Sequence, residues 1–292
     1  MARILIAGFG DVGSRLGAKL ADAGHQVFGV RRKLSSGFVS NRILCIAADL
    51  CQPSTFSNLP SDVEYIVYIL SPDSRHDLAY RNAFIVGLEN LFVRYRQQAV
   101  RPSCLFVSSS SVYGQYQGEW VDESSPARSR RGTAQVLIEA EAKVLAEKKT
   151  NVVVRFTGIY GPGREHLIRS VREGKVFPED PPRYTNRIHR DDCVGALYFL
   201  LQKQCQGESL DPVYLATDDE PAPANEVADW IARRLGISTP GLQSASLQTT
   251  NTVISNQNKR CSNRHLKALG YRLLYPSYRE GYDRLIGMDL SA

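Results

Sequence analysis

The chain has 292 residues, of which 43% are hydrophobic and 23% charged, and its formal net charge is +6. This is ordinary globular composition, and the length fits one large domain or two closely packed ones. The basic surplus suits an anionic small molecule but is too small to indicate a nucleic-acid partner. No apolar stretch approaches the roughly 20 residues of a membrane span, so we expect no membrane partner.

The six cysteines do not have the spacing of a metal site. No C-x-x-C pair occurs, and no histidine stands at zinc spacing from two of them. Several lie in apolar runs such as RILCIAA, where cysteine behaves as a small buried hydrophobe. The apolar run in the N-terminal MARILIAGFGDVG is too short for a signal peptide. We therefore predict reduced thiols, no bound metal and a cytoplasmic location.

Short apolar runs alternate with longer helix-type segments through the first 160 residues. The runs predict strands at 3–8, 26–30, 43–48, 63–70, 103–109 and 151–156. The segments predict helices at 12–24, 79–98 and 134–148. Near-continuous Val, Ile and Leu runs are typical of strands covered on both faces. The pattern therefore predicts an α/β fold, a Rossmann-type doubly wound parallel sheet.

The alternation loosens after residue 160, where Gly- and Pro-rich loops appear. Further predicted elements are a helix at about 192–204, a strand at 212–217, a helix at 224–235 and one or two helices within 263–286. We assign 1–160 to a dinucleotide-binding domain and 161–292 mostly to a smaller α+β substrate-side domain. Elements at about 188–217 are expected to return to the first domain.

A G-x-G-x-x-G turn joins the first predicted strand to the first helix. It consists of Gly8, Phe9, Gly10, Asp11, Val12 and Gly13. Within a βαβ unit this pattern indicates dinucleotide binding: Gly8 permits the tight turn, Gly10 lets the backbone approach a pyrophosphate, and Gly13 packs helix against strand. The pyrophosphate would meet the free N–H groups of the helix N-terminus.

The second strand ends in GVRRK, without the acidic residue that usually holds the ribose hydroxyls of NAD. Arg31 and Arg32 stand there instead, and a guanidinium matches a 2′-phosphate in bidentate geometry. We therefore predict NADP as the cofactor, with NAD as the alternative. The other predicted cofactor contacts follow the third and fourth strands: Asp49, Leu50, Leu70 and Ser71. Asp49 could instead cap a turn.

Five further segments accompany the glycine-rich turn: LFVSSSSVYG, VVVRFTGIYGPG, NRIHRDD, YLATDDEPAP and LGYRLLYPSYREGY. Together they resemble the extended short-chain dehydrogenase/reductases, the NAD(P)-dependent epimerase/dehydratase family, and most closely an atypical bacterial subgroup. The likeness covers nearly the whole chain. It implies hydride transfer on a small-molecule, hydroxyl-bearing substrate such as a nucleotide sugar, and a homodimer.

The resemblance also implies where chemistry would occur. SSSSVYG would end the fifth strand beside the nicotinamide, with Ser109 polarising the substrate oxygen and Ser110 next to it. The family's usual base is a Tyr with a Lys four residues later on one helix face. None of the 14 tyrosines has such a lysine. The chain also carries Phe84 where the family usually has a helix Asn.

Two alignments of the 134–148 helix with the family remain open. One places Arg131 and Gln135 at the Tyr and Lys positions, and the other places Thr133 and Leu137 there. Arg131 stays protonated, so it would stabilise an oxyanion or bind an anion and would not act as a base. Tyr160, in the YGPGR loop, is the candidate substitute base, and its alternative is a packed core tyrosine.

The predicted substrate contacts are Tyr113, Arg164, Arg183, Arg187 and His189. Nucleotide-sugar members commonly carry an arginine four residues before the His of IH-x-x-D, where this chain has Thr185. Arg183 and Arg187 flank that position and would replace the missing arginine. His189 is expected to link the two domains, and Asp191 or Asp192 to cap the following helix.

These observations lead to two functional hypotheses. The first is an NAD(P)-dependent oxidoreductase, epimerase or dehydratase acting through hydride transfer. The alternative is a catalytically impaired NADP(H)-binding sensor or regulatory protein, which the missing Tyr–Lys pair suggests.

Overall fold

A computed structural model describes residues 1–34, 42–175, 177, 181–237 and 257–289. Its centre is a seven-stranded sheet in the order β11-β7-β5-β4-β1-β2-β3, in which every neighbouring pair is parallel. The strands are β1 (Arg3–Ala7), β2 (Gln26–Arg31), β3 (Ile43–Ala47), β4 (Tyr65–Tyr68), β5 (Ser103–Ser109), β7 (Val152–Phe156) and β11 (Val213–Ala216). The predicted Rossmann-type fold is confirmed.

Both faces of the sheet are buried. Leu5 and Ala7 of β1 belong to one apolar core, and Ile4 and Ile6 belong to another on the opposite face. Each strand is therefore apolar on both sides, which explains the continuous runs in the sequence. The long helices that supply these cores are α1 (Asp11–Asp22), α3 (Gly87–Arg96), α4 (Gly132–Glu147) and α6 (Arg190–Cys205).

The helix predicted at 79–98 contains an irregular turn. It is built from α2 (Asp77–Arg81), a π-helical turn (Asn82–Val86) and α3. The backbone N–H of Gly87 donates to the carbonyl of Asn82, and the carbonyl of Ala83 accepts a hydrogen bond from the hydroxyl of the buried Tyr68. Tertiary contacts thus satisfy a carbonyl that the widened turn releases, and local sequence periodicity does not reveal this.

The remaining elements come mostly from the part of the chain that follows β7. They are β6 (Glu119–Val121), β8 (Gly158–Tyr160), β9 (Tyr184–Thr185), β10 (Arg187–His189), β12 (Ala222–Pro223), β13 (Lys259–Cys261), α5 (His166–Arg172), α7 (Ala224–Arg234), α8 (Arg264–Ala268) and α9 (Tyr278–Asp289). Helices α5, α7 and α9 share a third apolar core. Strand β13 pairs with β6 and brings Lys259 and Cys261 beside the loop that follows β5.

Helix α6 is capped by His189, whose Nδ1 accepts a hydrogen bond from the N–H of Asp191 at 3.2 Å. The expectation that Asp191 or Asp192 caps this helix is therefore wrong. Asp192 is fully buried and accepts hydrogen bonds from the N–H groups of Leu274 and Tyr275, at 2.7 and 2.9 Å. This carboxylate fastens the C-terminal segment to the start of α6.

All six cysteines are free thiols. Burial is the main cause that raises the pKa of each of them: Cys45, Cys51, Cys104, Cys193, Cys205 and Cys261. Over the part of the chain that is described, no group of three or more His, Cys, Asp or Glu could hold a metal ion. In the same part, no helix is long and apolar enough to cross a membrane.

Candidate cofactor and active site

A cavity of about 1390 Å³ opens at the carboxyl ends of the parallel strands. Its wall is built from the segments that follow β1, β2, β3, β4, β5 and β7 in turn. Single ligand pockets usually measure about 300–1,000 Å³, so this volume has room for a dinucleotide and a second molecule. The carboxyl edge of an open α/β sheet is also where such folds bind ligands.

The glycine-rich turn fits a dinucleotide pyrophosphate. Gly8 has a φ of +107°, and a Cβ there would lie 2.1 Å from the carbonyl oxygen of Ile69. A Cβ on Gly13 would lie 2.3 Å from the carbonyl oxygen of Gly8. Gly10 differs, because no described atom lies within 4 Å of its Cβ position, and it faces the cavity. Gly8 and Gly13 allow close contacts between backbone segments, and Gly10 leaves space for the ligand.

Arg164 lies at the cofactor end of the cavity. Its Nε donates to Oδ2 of Asp11, in the glycine-rich turn, at 3.2 Å, and Arg190 approaches Oδ1 of the same carboxylate at 3.4 Å. Arg164 was predicted to contact substrate, but the structure places its charge beside the turn where a pyrophosphate would bind. The sequence could not show this, because the ion pair joins residues 153 positions apart.

The other predicted cofactor contacts all line the cavity: Phe9, Asp11, Val12, Arg31, Arg32, Asp49, Leu50, Leu70 and Ser71. Arg32 forms a two-pronged ion pair with Asp73, which lies in the loop after β4. Asp49 also caps a local turn, since its carboxylate accepts a hydrogen bond from the N–H of Cys51 at 2.9 Å. Both interpretations of Asp49 therefore fit its position.

The serines of SSSSVYG have different roles. Ser108 also lines the cavity, but its hydroxyl donates to the buried Glu141 at 2.6 Å. Ser109 faces the cavity, and its oxygen accepts a hydrogen bond from the N–H of Ser111 at 3.1 Å. Ser110 turns toward the thiol of Cys261 and is not part of the cavity wall. Of the two serines predicted to be catalytic, only Ser109 reaches the cavity.

Helix α4 supports the second of the two alignments. Leu137, which is 3% exposed, lines the cavity at the position of the family's lysine. Glu141, one turn later, is buried and forms an ion pair with Arg155 at 2.6 Å. Gln135 and Arg131 are exposed and outside the cavity wall. The prediction of Arg131 as a catalytic residue is therefore wrong, because this residue is exposed at the N-cap of α4 and does not line the cavity.

The cavity wall around Leu137 is largely apolar. Ala83 and Phe84, from the π-helical turn, lie on the same wall, and so does the half-buried Tyr80. His76, four residues before Tyr80, also lines the cavity. Neither Tyr80 nor His76 belongs to a family motif, so the sequence alone does not indicate them. Only the packing of α2 against α4 brings them to the site.

Tyr160 is not at the site. It is 4% exposed, its hydroxyl donates to the carbonyl of Ser277 at 3.4 Å, and its ring packs against His189 and Tyr282. Burial raises its pKa further above that of a free tyrosine, which opposes any role as a base. Tyr160 is the packed core tyrosine that the sequence left as the alternative.

The remaining predicted substrate contacts lie outside the cavity wall. Tyr113 is fully buried, donates to the carbonyl of Asp122 at 2.8 Å and accepts a hydrogen bond from Arg155. Arg187 is buried and lies 5.4 Å from the ring centroid of Tyr278. Arg183 is half-buried, and His189 is the cap of α6. The contacts of Tyr113, Arg187 and His189 are therefore structural ones, made with neighbouring segments of the protein.

The parallel sheet, the glycine-rich turn and the cavity at the strand ends define a Rossmann-type dinucleotide-binding protein. The model of the NAD dependent epimerase/dehydratase family matches residues 4–214, and the chain belongs to this family. The resemblance noted in the sequence is confirmed, and a nicotinamide cofactor follows from it.

Three known proteins illustrate the relationship. A structure from Methylobacillus flagellatus, described as an NAD-dependent epimerase/dehydratase, is 33% identical over 99% of both chains, with a TM-score of 0.83. A 3-diazoavenalumate denitrifying reductase from a Streptomyces species is 28% identical over 177 residues, which is 56% of each protein. The dTDP-glucose 4,6-dehydratase of Bacillus anthracis, solved with NAD, is 16% identical over 100% of this chain and 97% of its own, with a TM-score of 0.76, and shows the fold alone.

Proposed function

We propose that the protein is an NADP(H)-dependent oxidoreductase or epimerase that transfers hydride to or from a hydroxyl-bearing small molecule such as a nucleotide sugar. One observation carries the proposal: the same cavity is lined by the glycine-rich turn at one end and by Ser109 at the other. A dinucleotide held at the turn would extend along the strand ends toward Ser109.

We further propose that the protein is a cytoplasmic homodimer.

Ser109 is suited to stabilise charge on a substrate oxygen. Its oxygen already accepts the N–H of Ser111, so its own O–H remains available as a donor into the cavity. When bound, the nicotinamide supplies or accepts the hydride at the substrate carbon. A hydrogen-bond donor aimed at the oxygen that gains negative charge lowers the barrier to this transfer.

The proton that accompanies the hydride requires a partner other than the family's pair. Thr133 and Leu137 occupy the two positions, and neither can exchange a proton near neutral pH. The phenol of Tyr80 and the imidazole of His76, which line the same cavity, and solvent water are available partners. The relative named as a reductase is consistent with hydride chemistry.

Replacement of Ser109 tests this proposal. Ser109→Ala removes the donor and leaves the neighbouring strand intact, so kcat should fall about 100-fold while NADPH affinity stays unchanged. The measurement is NADPH oxidation with a panel of ketones, aldehydes and nucleotide sugars, with the reverse reaction followed on alcohols. Ser110→Ala is the matched control, since that side chain faces Cys261. Absence of hydride exchange across the whole panel would contradict the enzyme proposal.

A sensor remains the second candidate, and the apolar wall at Leu137 and Phe84 favours it. In this case the protein would bind NADP(H) without turnover. Its affinity for a protein partner would then depend on the redox state of the bound cofactor. Pull-down from a cell extract with and without NADPH, followed by affinity measurement with the purified partner, tests it. Equal affinity for the partner in both conditions would remove this candidate.

A further inference from the structure

Arg32 and Asp73 form an ion pair across the mouth of the cavity. Arg32 follows β2, and Asp73 lies in the loop after β4. Nη1 of Arg32 donates to Oδ2 of Asp73 at 2.6 Å, and Nη2 donates to Oδ1 of the same carboxylate. Since β2 and β4 flank β1 in the sheet, the pair spans the turn that follows β1. Both residues line the cavity.

The carboxylate of Asp73 occupies the Nη1 and Nη2 groups of Arg32, an edge that a phosphate would also fit. A guanidinium presents two parallel N–H groups, and these match a carboxylate or a phosphate equally well in shape. The hydrogen bonds of this pair raise the pKa of Arg32 and lower the pKa of Asp73, so both groups are charged near neutral pH. A second anion that uses the same Nη1 and Nη2 edge of Arg32 must displace Asp73.

The pair is also weak enough to be displaced. The side chains of Arg32 and Asp73 are 59% and 65% exposed, and an ion pair this open to water contributes little to stability. A dianionic phosphate would therefore compete successfully with Asp73 when the rest of the cofactor is anchored at the glycine-rich turn. A ribose with free hydroxyls carries no charge and would leave the pair closed.

We propose that Asp73 limits the preference of this protein for NADP(H) over NAD(H) by competing with the 2′-phosphate for Arg32. The pair opens when NADP(H) binds and stays closed when NAD(H) binds, so Asp73 reduces the preference that Arg32 alone would give. The inference rests on the proposed function, because it requires a nicotinamide dinucleotide in this cavity.

The test compares the dissociation constants of NADPH and NADH by fluorescence titration. Asp73→Asn keeps the shape of the side chain and removes its charge, so NADPH affinity should rise about fivefold while NADH affinity changes less than twofold. The rise in NADPH affinity should be absent when Asp73→Asn is introduced into an Arg32→Gln protein. Asp62→Asn is the matched control, because Asp62 forms an exposed pair with Arg3 at 2.8 Å and is not part of the cavity wall.

Two results are distinguishable. If both cofactors bind but Asp73→Asn leaves the NADPH to NADH ratio unchanged, or if its gain persists with Arg32→Gln, competition for Arg32 is disproved and the proposed function stands. If neither cofactor binds the wild-type protein, the proposed function fails and the inference fails with it.

Discussion

Single side chains show what a linear motif can and cannot indicate. Ser109 was found from its place in SSSSVYG, and it does face the cavity. Tyr160 and Arg131 were chosen by spacing as well, yet one is buried in a core and the other is exposed to solvent. Spacing fixes which helix or loop a residue occupies. The direction of the side chain depends on packing between segments far apart in the chain.

Protonation of the buried His189 should destabilise the folded protein at acidic pH. It is 1% exposed, and burial lowers its pKa from the usual 6.5 to about 4, outweighing the attraction of Asp191. Between pH 6.5 and 4, His189 is therefore protonated in the unfolded chain but remains neutral in the folded protein. The stabilising contribution is complete above pH 6.5 and is lost as the pH falls toward 4. Its size is about 3 kcal/mol.

The free energy of unfolding, measured by urea titration from pH 7.5 to 4, checks this expectation. His189→Asn retains a side-chain oxygen that can cap α6 but removes the titrating group. The variant should lose less stability on acidification than the wild type by about the same 3 kcal/mol. Parallel curves for the two proteins would show that another group causes the loss.

At the scale of elements, the strand–helix junctions were the most predictable parts. The glycine-rich turn joins β1 to α1 as its pattern indicated, because only glycine fits the close contacts at Gly8 and Gly13. The π-helical turn at Asn82–Val86 was not predictable, since it depends on the hydroxyl of Tyr68 from a different strand. Likewise, the two alignments of α4 could be told apart only from the burial of Leu137 and Glu141 in the structure.

The glycines of this turn should separate folding from binding. Gly13→Ala would force a Cβ against the carbonyl of Gly8, so the melting temperature should fall by several degrees, equivalent to about 1–3 kcal/mol. Gly10→Ala meets no described atom and should leave the melting temperature nearly unchanged. It should nevertheless weaken NADPH binding at least about tenfold, because the methyl group occupies the space for the pyrophosphate. Thermal melts and fluorescence titrations measure the two effects; tight NADPH binding by Gly10→Ala would contradict this assignment of the turn.

For the whole molecule, the sequence was sufficient for the architecture and insufficient for the substrate. The apolar runs of β1, β5 and β7 predicted a sheet covered on both faces, and the two cores confirm it. The α+β substrate side was only outlined, because its short strands carry little periodic signal. Residues 238–256 are outside the described residues.

Cofactor binding should stabilise the whole chain, because the cavity wall draws on strands from both halves of the sheet. At an NADPH concentration of 100 times Kd the gain is about 2.7 kcal/mol, which corresponds to a rise in melting temperature of about 5 °C. Differential scanning fluorimetry measures it. If NADPH binds by fluorescence titration but the melting temperature does not change, the cofactor does not stabilise both halves of the sheet through the cavity wall.

The six buried or half-buried thiols should leave the protein suitable for site-specific labelling at an introduced cysteine. Since burial raises the pKa of each one, little thiolate is present at neutral pH and the native cysteines should react slowly with maleimides. A cysteine introduced at the exposed Ser74 would react much faster than any of them. The native chain is therefore already suited to carry a single fluorescent dye beside Asp73, without prior removal of its own cysteines.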